Sequence, residues 1–436
     1  MMKNVLLIGG IILLNFGAYS QEKLTLDQAI AIALEKNYDI QIAENNLEIA
    51  DNNQDIKNSG FLPTVAVSAG GNYSNNNAFV ETQDGIEKSI NGIETTTYNA
   101  SVGVNYVLYN GMNRKNNFDK LKKAYELANV QKQIGIDNTI LEVYNYYYEI
   151  AKYTNNLNIL KESFEISKNR LERINYQLEF GQKTSLDVLN AQVDVNNDSL
   201  NLINGQLAID NAKRTLNYLL GFPVDQDFIV DDEVEINGLL NLEQISTNMI
   251  DNNNSAKQFE LNKEIANYDL KMSKSGWMPT VSTNVSYGLN NGNYGPTSLF
   301  ARQNVSGLNT GLSLTWNVFD GGSTSTKVAN AKIAMDNQEM YKNQLDLNLK
   351  KELANTWSNY MNQLAVINFE ETNVEISNQN FLKTLEKYNL GQVNSTDFRQ
   401  AQLNLINAKV NLSSARFEVK MLEVQLKRLE GTLVNL

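Results

Sequence analysis

Ser59-Gly60-Phe61-Leu62-Pro63-Thr64-Val65 marks the point where this chain changes period. Upstream the apolar residues follow helical spacing. From Thr64 they alternate, with Val65, Val67, Ala69 and Tyr73 on one face and Thr64, Ser68, Gly70 and Asn72 on the other. The proline explains the switch, because a residue before proline is driven out of the helical region toward extended backbone. The same step recurs as Ser275-Gly276-Trp277-Met278-Pro279-Thr280-Val281. Each proline step therefore predicts the start of an amphipathic strand, and its recurrence predicts a duplicated chain.

Further landmarks keep the register. Tyr109-Asn110-Gly111 returns as Phe319-Asp320-Gly321, and Leu178-Glu179-Phe180-Gly181-Gln182 near Tyr388-Asn389-Leu390-Gly391-Gln392. Asp187, Ala191, Gln192 and Gly221 match Asp397, Ala401, Gln402 and Gly431. Fixed-period self-similarity is the signature of repeated architecture. The expected organisation is a first repeat over 21–221, a linker over 222–240 and a second repeat over 241–436.

Each repeat reads as helix, strand, polar loop, strand, then a long helical hairpin. The strands are expected at about 64–73, 98–109, 280–290 and 308–319, and the hairpins at about 112–220 and 322–430. In the second strand Tyr98, Ala100, Val102, Val104, Tyr106 and Leu108 oppose Asn99, Ser101, Gly103 and Asn105. Alternation of this kind fits a soluble sheet packed on helices or a transmembrane barrel with lipid outside and water inside. Strand lengths near the roughly 9–11 residues a barrel needs favour the barrel. So do the aromatics Tyr73, Tyr98, Tyr106, Tyr287 and Trp316 on the apolar faces, read as membrane-interface residues. Four strands cannot close a barrel, and an open sheet in lipid strands its backbone groups. The barrel must be shared between chains, eight strands in a dimer or twelve in a trimer.

The helices carry coiled-coil spacing. Phe398, Ala401, Leu405, Ala408, Leu412, Ala415, Val419, Leu422, Leu426 and Leu429 step by threes and fours, as do Leu157, Leu160, Phe164, Ser167, Leu171, Ile174 and Leu178. A third seam runs from Trp357 and Tyr360 to Phe381, Leu385 and Tyr388. None of the 4 prolines falls in either hairpin, which leaves room for very long helices.

Composition removes whole classes of chemistry. The 436 residues include no Cys and no His, which excludes thiol nucleophiles, disulfides, Cys/His zinc sites and His bases. A net charge of −12 leaves no basic footprint for nucleic acid. No phosphate-cradling GxxxxGK[ST] pattern is present, so the chain is expected to be no enzyme and to hold no cofactor and no metal. The N-terminus carries Lys3, the apolar run Val5 to Leu14 and then Ala18-Tyr19-Ser20. This predicts a secretory signal over 1–20; a short anchor is disfavoured because the run is shorter than the roughly 20 residues of a span. Arg114, Lys115, Lys120, Lys122 and Lys123 follow the second strand. They could meet lipid phosphates or simply form a solvated helix face.

Together, the leader, the two homologous halves, the proline steps into strand pairs and the Gly-Gln hairpin turns resemble the outer membrane efflux (TolC-like) family. The most specific piece is Tyr388-Asn389-Leu390-Gly391, then Asp397, Ala401, Ala408 and Ala415, ending at Leu429-Glu430-Gly431. The resemblance implies an α+β fold: a homotrimer with a twelve-stranded outer-membrane barrel continued by a long periplasmic α-helical barrel, in a Gram-negative bacterium. It implies a passive exit duct for tripartite efflux or type I secretion, joined by a periplasmic adaptor (membrane fusion) protein to an inner-membrane RND or ABC pump. A trimeric coiled-coil surface or adhesin protein is the alternative, but it leaves the duplicated strand pairs unexplained.

The resemblance also assigns site residues. Phe180-Gly181-Gln182 and Leu390-Gly391-Gln392 would be adaptor-docking turns, although a glycine helix stop suffices structurally. Asp397, Tyr388, Asp187 and Gln400 would form the periplasmic gate. Where family members often carry a second aspartate this chain has Gln400, which implies a weaker cation-binding ring. Asp187 and Asp397 also suit the starts of returning helices, where a carboxylate meets the helix dipole.

Overall fold

The computed structural model describes residues 23–433 apart from 233, 237, 239 and 297. The expected signal segment lies outside the described residues. The order is β1 (Lys23–Leu24), α1 (Leu26–Lys36), α2 (Tyr38–Gln54), β2 (Thr64–Glu81), β3 (Glu87–Asn110), α3 (Asn113–Glu179) and α4 (Ser185–Leu219). It continues with β4 (Ile229–Val230), α5 (Leu242–Asn252), α6 (Asn254–Lys274), β5 (Thr280–Asn293), β6 (Arg302–Thr315), α7 (Ser323–Asn389) and α8 (Ser395–Glu430). The repeat is visible in the elements themselves: α3 and α7 both hold 67 residues.

The chain divides into two compact units. One takes residues up to Gln41 with Gly135–Asn253 and Lys351–Leu436; the other takes Ile42–Ile134 and Asn254–Lys350. Each unit draws on both copies of the repeat. The segment 222–240 therefore separates the copies in sequence without separating compact units. It also contains β4, which pairs in parallel with β1. Tyr147 holds this corner: its hydroxyl donates to the Leu24 carbonyl at 3.0 Å and accepts from the Asp231 N–H at 3.1 Å.

The second unit is built on one antiparallel sheet of order β2-β3-β5-β6. Its strands run longer than the alternation alone suggested. β2 continues to Glu81 and β3 begins at Glu87, because the polar loop between them also pairs. β6 spans Arg302–Thr315 in place of the expected 308–319, so Trp316 falls just past its end. Cross-strand register preserves the two faces. Val67, Val102, Tyr287 and Leu308 lie in one row, flanked by the row Val65, Val104, Val285 and Thr310. On the opposite face, Ser68, Ser101, Gly288 and Gly307 share a row, as do Thr64, Asn105, Asn284 and Gly311. The apolar face is open: Val67 is 80% exposed and Leu312 73%. A soluble sheet would bury this face, since apolar area removed from water contributes roughly 25 cal/mol per Å².

The interface aromatics divide by position. Tyr73 and Tyr98 fall mid-strand at the full length of β2 and β3, and Tyr106 stands near the end of β3. Tyr287 lies mid-strand, paired with Val102 and Leu308. Trp316 donates its indole N–H to the Trp277 carbonyl at 3.1 Å. The basic cluster is largely consumed by protein partners. Arg114 lies over the Phe61 and Tyr106 rings and donates to the Gly60 and Leu108 carbonyls. Lys120 pairs with Asp269, and Lys123 with Glu126 and Glu264. Among these five, Lys115 and Lys122 are the exposed ones.

The first unit packs by the seams. On α8, Phe398, Ala401, Leu405, Ala408, Ala415, Val419, Leu422, Leu426 and Leu429 are buried, while Leu412 is half-buried. On α3 the expected apolar seam is only partly used. Leu157, Ser167 and Ile174 of that seam are buried, Leu160, Phe164 and Leu171 are half-buried and Leu178 is exposed, while Ser163 and Arg170, outside the seam, are also buried. Ser163, Ser167 and Arg170 form a polar stripe spaced by four and three, and it leads to the site.

Candidate functional site

Both hairpins of the first unit turn on a glycine with left-handed backbone, Gly181 at φ 69° and Gly391 at φ 74°. Each closes α3 or α7 by the pair of backbone hydrogen bonds that ends many helices. Gly181 N–H donates to Leu178 O and Gln182 N–H to Gln177 O; Gly391 N–H donates to Tyr388 O and Gln392 N–H to Lys387 O. The residue before each glycine projects into solvent, Phe180 at 78% exposure and Leu390 at 66%. The six residues assigned to docking thus make two similar turns, each presenting one large apolar side chain.

The four gate candidates meet different fates. Asp187 is bound into its own helix start. Its carboxylate accepts from the Thr184 N–H at 2.9 Å and the Thr184 hydroxyl at 2.8 Å, a capping box. Those Thr184 bonds hold its carboxyl below the usual range. Asp397 occupies the same place on α8, but there Asn394 supplies the cap, accepting from the Asp397 N–H at 2.8 Å. The Asp397 side chain is exposed. Gln400 donates to Asn404, one turn on. Tyr388 is buried and stacks on Phe398 with ring centroids 4.8 Å apart, and the Arg173 guanidinium lies over the Tyr388 ring at 5.6 Å. Arg173 also donates to the Asn389 carbonyl, fastening α3 to the end of α7.

Deeper in the same unit lies a cluster that reading the sequence did not single out. Asp198 of α4 is 4% exposed. It accepts from Arg399 of α8 at 2.7 and 2.8 Å and from Ser167 of α3 at 2.6 Å. Arg399 also faces Asp194 at 3.6 Å, and Asp194 accepts from Arg170 of α3. Gln402 closes the group, donating to the Ser163 carbonyl and to the Ser163 and Ser167 hydroxyls. Two arginines and two aspartates balance. Burial pushes the Asp198 carboxyl up, and the Arg399 and Ser167 bonds more than offset this, holding it below the usual range. The cluster ties the helices of the first hairpin to α8 of the second. It escaped notice because polar residues at heptad spacing look like a solvated face.

Among the described residues no group of acidic side chains is placed to hold a metal ion, and no helix is long and apolar enough to cross a membrane. What remains is, in one unit, a pair of capped helix turns bolted together from within and, in the other, a sheet with one apolar and one small polar face. This combination matches a known family: the model for the outer membrane efflux protein family covers residues 29–222 and 246–432, one match per repeat.

The chain belongs to the outer membrane efflux protein family.

The match makes it an outer-membrane efflux channel and no enzyme. Outer membrane protein TolC of Salmonella enteritidis is 22% identical over 387 residues, covering 86% of this chain and 75% of that protein. TolC of Escherichia coli is 21% identical over 390 residues, with 86% and 76% covered. Among solved structures, the CmeC outer membrane channel of Campylobacter jejuni superposes with a TM-score of 0.79 at 16% identity, covering 94% of this chain and 86% of that one. The outer-membrane channel OprN gives 0.77 at 18% identity, covering 94% and 93%. The four-stranded sheet and paired long helices of this efflux-family chain are thus its family's α+β fold.

Proposed function

We propose that the protein is the outer-membrane exit duct of a tripartite efflux or type I secretion machine, a homotrimer closed at its helix turns and opened by a periplasmic adaptor and an inner-membrane pump. The observation that carries this reading is the open sheet with its apolar face bare. Its two outer strands, β2 and β6, leave their ladders unpaired within the chain, and lipid tolerates such edges only when they close on another copy. Three copies give twelve strands. The helices supply a matching surface: Leu186, Leu189, Val193, Leu200, Ile203 and Leu207 of α4 recur at heptad spacing and stay exposed in the single chain, as a seam awaiting a neighbouring copy would.

The repeat specifies how the edges meet. Thr64 pairs with Asn105, and their repeat equivalents Thr280 and Thr315 also pair. The β3–β5 register, in which Val104 faces Val285 and Val102 faces Tyr287, should therefore recur between β6 of one copy and β2 of the next. Under the same correspondence Leu314 sits beside Ala69 of the neighbour. Directly opposed residues have Cβ atoms about 4.5–5.5 Å apart, within a small backbone adjustment of the roughly 3.5–4.5 Å that a disulfide takes. The chain has no Cys, so Ala69→Cys combined with Leu314→Cys should yield covalent oligomers up to a trimer on a non-reducing gel. Monomer alone, with both thiols reactive, would refute the closed barrel.

The gate reading rests on Asp397. Its equivalent, Asp187, is engaged by its own cap, whereas the Asp397 carboxylate is exposed. Three such carboxylates near an axis would favour cations. Asp397→Asn should lower cation selectivity in planar bilayers and weaken block by multivalent cations from the periplasmic side; Asp187→Asn should change both less. Identical reversal potentials for Asp397→Asn and the parent would remove Asp397 from the gate. The exposed Phe180 and Leu390 support the adaptor-docking role of the two turns, and the apolar row through Val67 and Leu308 supports contact with outer-membrane lipid.

A further inference from the structure

The apolar face of the sheet gives way to polar residues on every strand. Tyr73, Tyr98, Leu289 and Leu308 are followed on that face, two residues further from the helices, by Asn75, Thr96, Asn291 and Ser306. At this boundary the face is hollowed. Ala100, Leu289 and Ser306 form one cross-strand row, and Tyr98, Asn291 and Asn304 the next. These six frame a hollow of about 410 Å³. Its floor is the backbone of Asn99, Asn290 and Val305, since alternation turns their side chains to the other face. Ala100 and Ser306 are too small to fill the space on either side of Leu289. One row further out Arg302 stands opposite Asn293 and donates its Nε–H to the Asn293 side-chain oxygen at 3.1 Å. It is the one ionisable residue on this face from the row of Val65 to its own.

We propose that this hollow is a binding site for an acylated, phosphorylated saccharide lipid of the outer leaflet, one per copy. The inference rests on the proposed barrel, in which the apolar face meets lipid. The long helices leave the sheet at its other end, so with the helices in the periplasm the hollow faces the outer leaflet. Each part of such a lipid finds its match. An acyl chain leaving the hollow continues onto Leu289, Tyr287 and Leu308, the apolar face itself. Arg302 keeps its terminal amino groups for a phosphate, which a guanidinium grips as a fork. Between chain and phosphate stand Asn291, Asn304 and Ser306. Facing plain hydrocarbon, these groups would go unsatisfied at a cost. The ester carbonyls of a phospholipid only accept, whereas sugar hydroxyls both donate and accept, as a side-chain amide does. The amides therefore favour a saccharide lipid over a phospholipid of the same charge.

The test is a titration of the delipidated full-length protein in detergent, read by native mass spectrometry. The probe is a bisphosphorylated, acylated disaccharide lipid. The parent should saturate at one lipid per copy. Arg302→Ala should weaken binding about tenfold, the loss expected for one charge-assisted contact. Removing the phosphates from the probe should cost the parent as much and Arg302→Ala little more. Ala100→Phe fills the hollow and should abolish saturable binding. Val285→Phe, an equal ring on the same face outside the hollow, should leave binding at the parent level. Phosphatidylglycerol should compete poorly. Parent affinity in Ala100→Phe or in Arg302→Ala would overturn the site, and so would phosphatidylglycerol competing on equal terms. Loss of thermal stability in lipid-free Arg302→Ala, with binding unchanged, would make Arg302 a contact between copies and sink the phosphate role. The Ala69→Cys/Leu314→Cys cross-link is run in parallel. If it forms while the variants bind alike, only the lipid site fails; if it does not form, the barrel reading and the lipid site fall together.

Discussion

Arg399→Ala should leave the trimer conducting when it is otherwise closed. Arg399 donates to both carboxylate oxygens of Asp198 and faces Asp194, so its removal strands buried negative charge between three helices. Breaking a buried pair from one side costs about 3–5 kcal/mol. The strain can be relieved by letting α8 separate from α3 and α4, which is the movement a gate needs. Planar bilayer recordings should show a several-fold rise in resting conductance, with trimer assembly kept because the barrel strands are untouched. Charge reversal, Asp198→Arg with Arg399→Asp, should return part of the closed behaviour. A parental resting current in Arg399→Ala would make the cluster mere packing. Acid supplies an independent check. A carboxyl depressed in the folded state contributes stability that is complete above its unfolded value, about 3.9. That contribution is lost only as pH falls through the still lower folded value. Resting conductance should therefore stay flat from neutral to mildly acidic pH and rise only below the ordinary carboxylate range.

The second large effect concerns the sheet. Val102→Arg puts a guanidinium in the middle of the apolar face, beside Val67 and Tyr287. In lipid an arginine at that depth costs about 2–4 kcal/mol in each copy. The trimer should fail to appear in outer membranes. Ser101→Arg, its immediate neighbour on the opposite face, should assemble normally, because there the charge meets water and neighbours no larger than serine, Ser68 and Gly288. Quantitative blotting of membrane fractions separates the two. Equal assembly of both variants would mean that the apolar face is in water.

Much of this was legible in residue order. The proline steps at Pro63 and Pro279 announced the strands, since a ring that fixes φ and removes a donor acts locally. Alternation set the two faces of the sheet, because side chains in a strand change sides at every residue. Heptad spacing placed Phe398, Ala401 and Leu405 in the core, and the turn glycines placed the hairpin ends. These are short-range rules, and the repeat stated each of them twice. Tertiary structure decided what depends on partners far away in the chain. Asp198 and Arg399 lie 201 positions apart and became a buried pair only when α4 and α8 packed. Asp187 and Asp397 looked equivalent until one carboxylate closed on Thr184 and the other was left to water. Period and turn chemistry are properties of neighbours in sequence, but the worth of a charge depends on what surrounds it, and only packing supplies the surroundings.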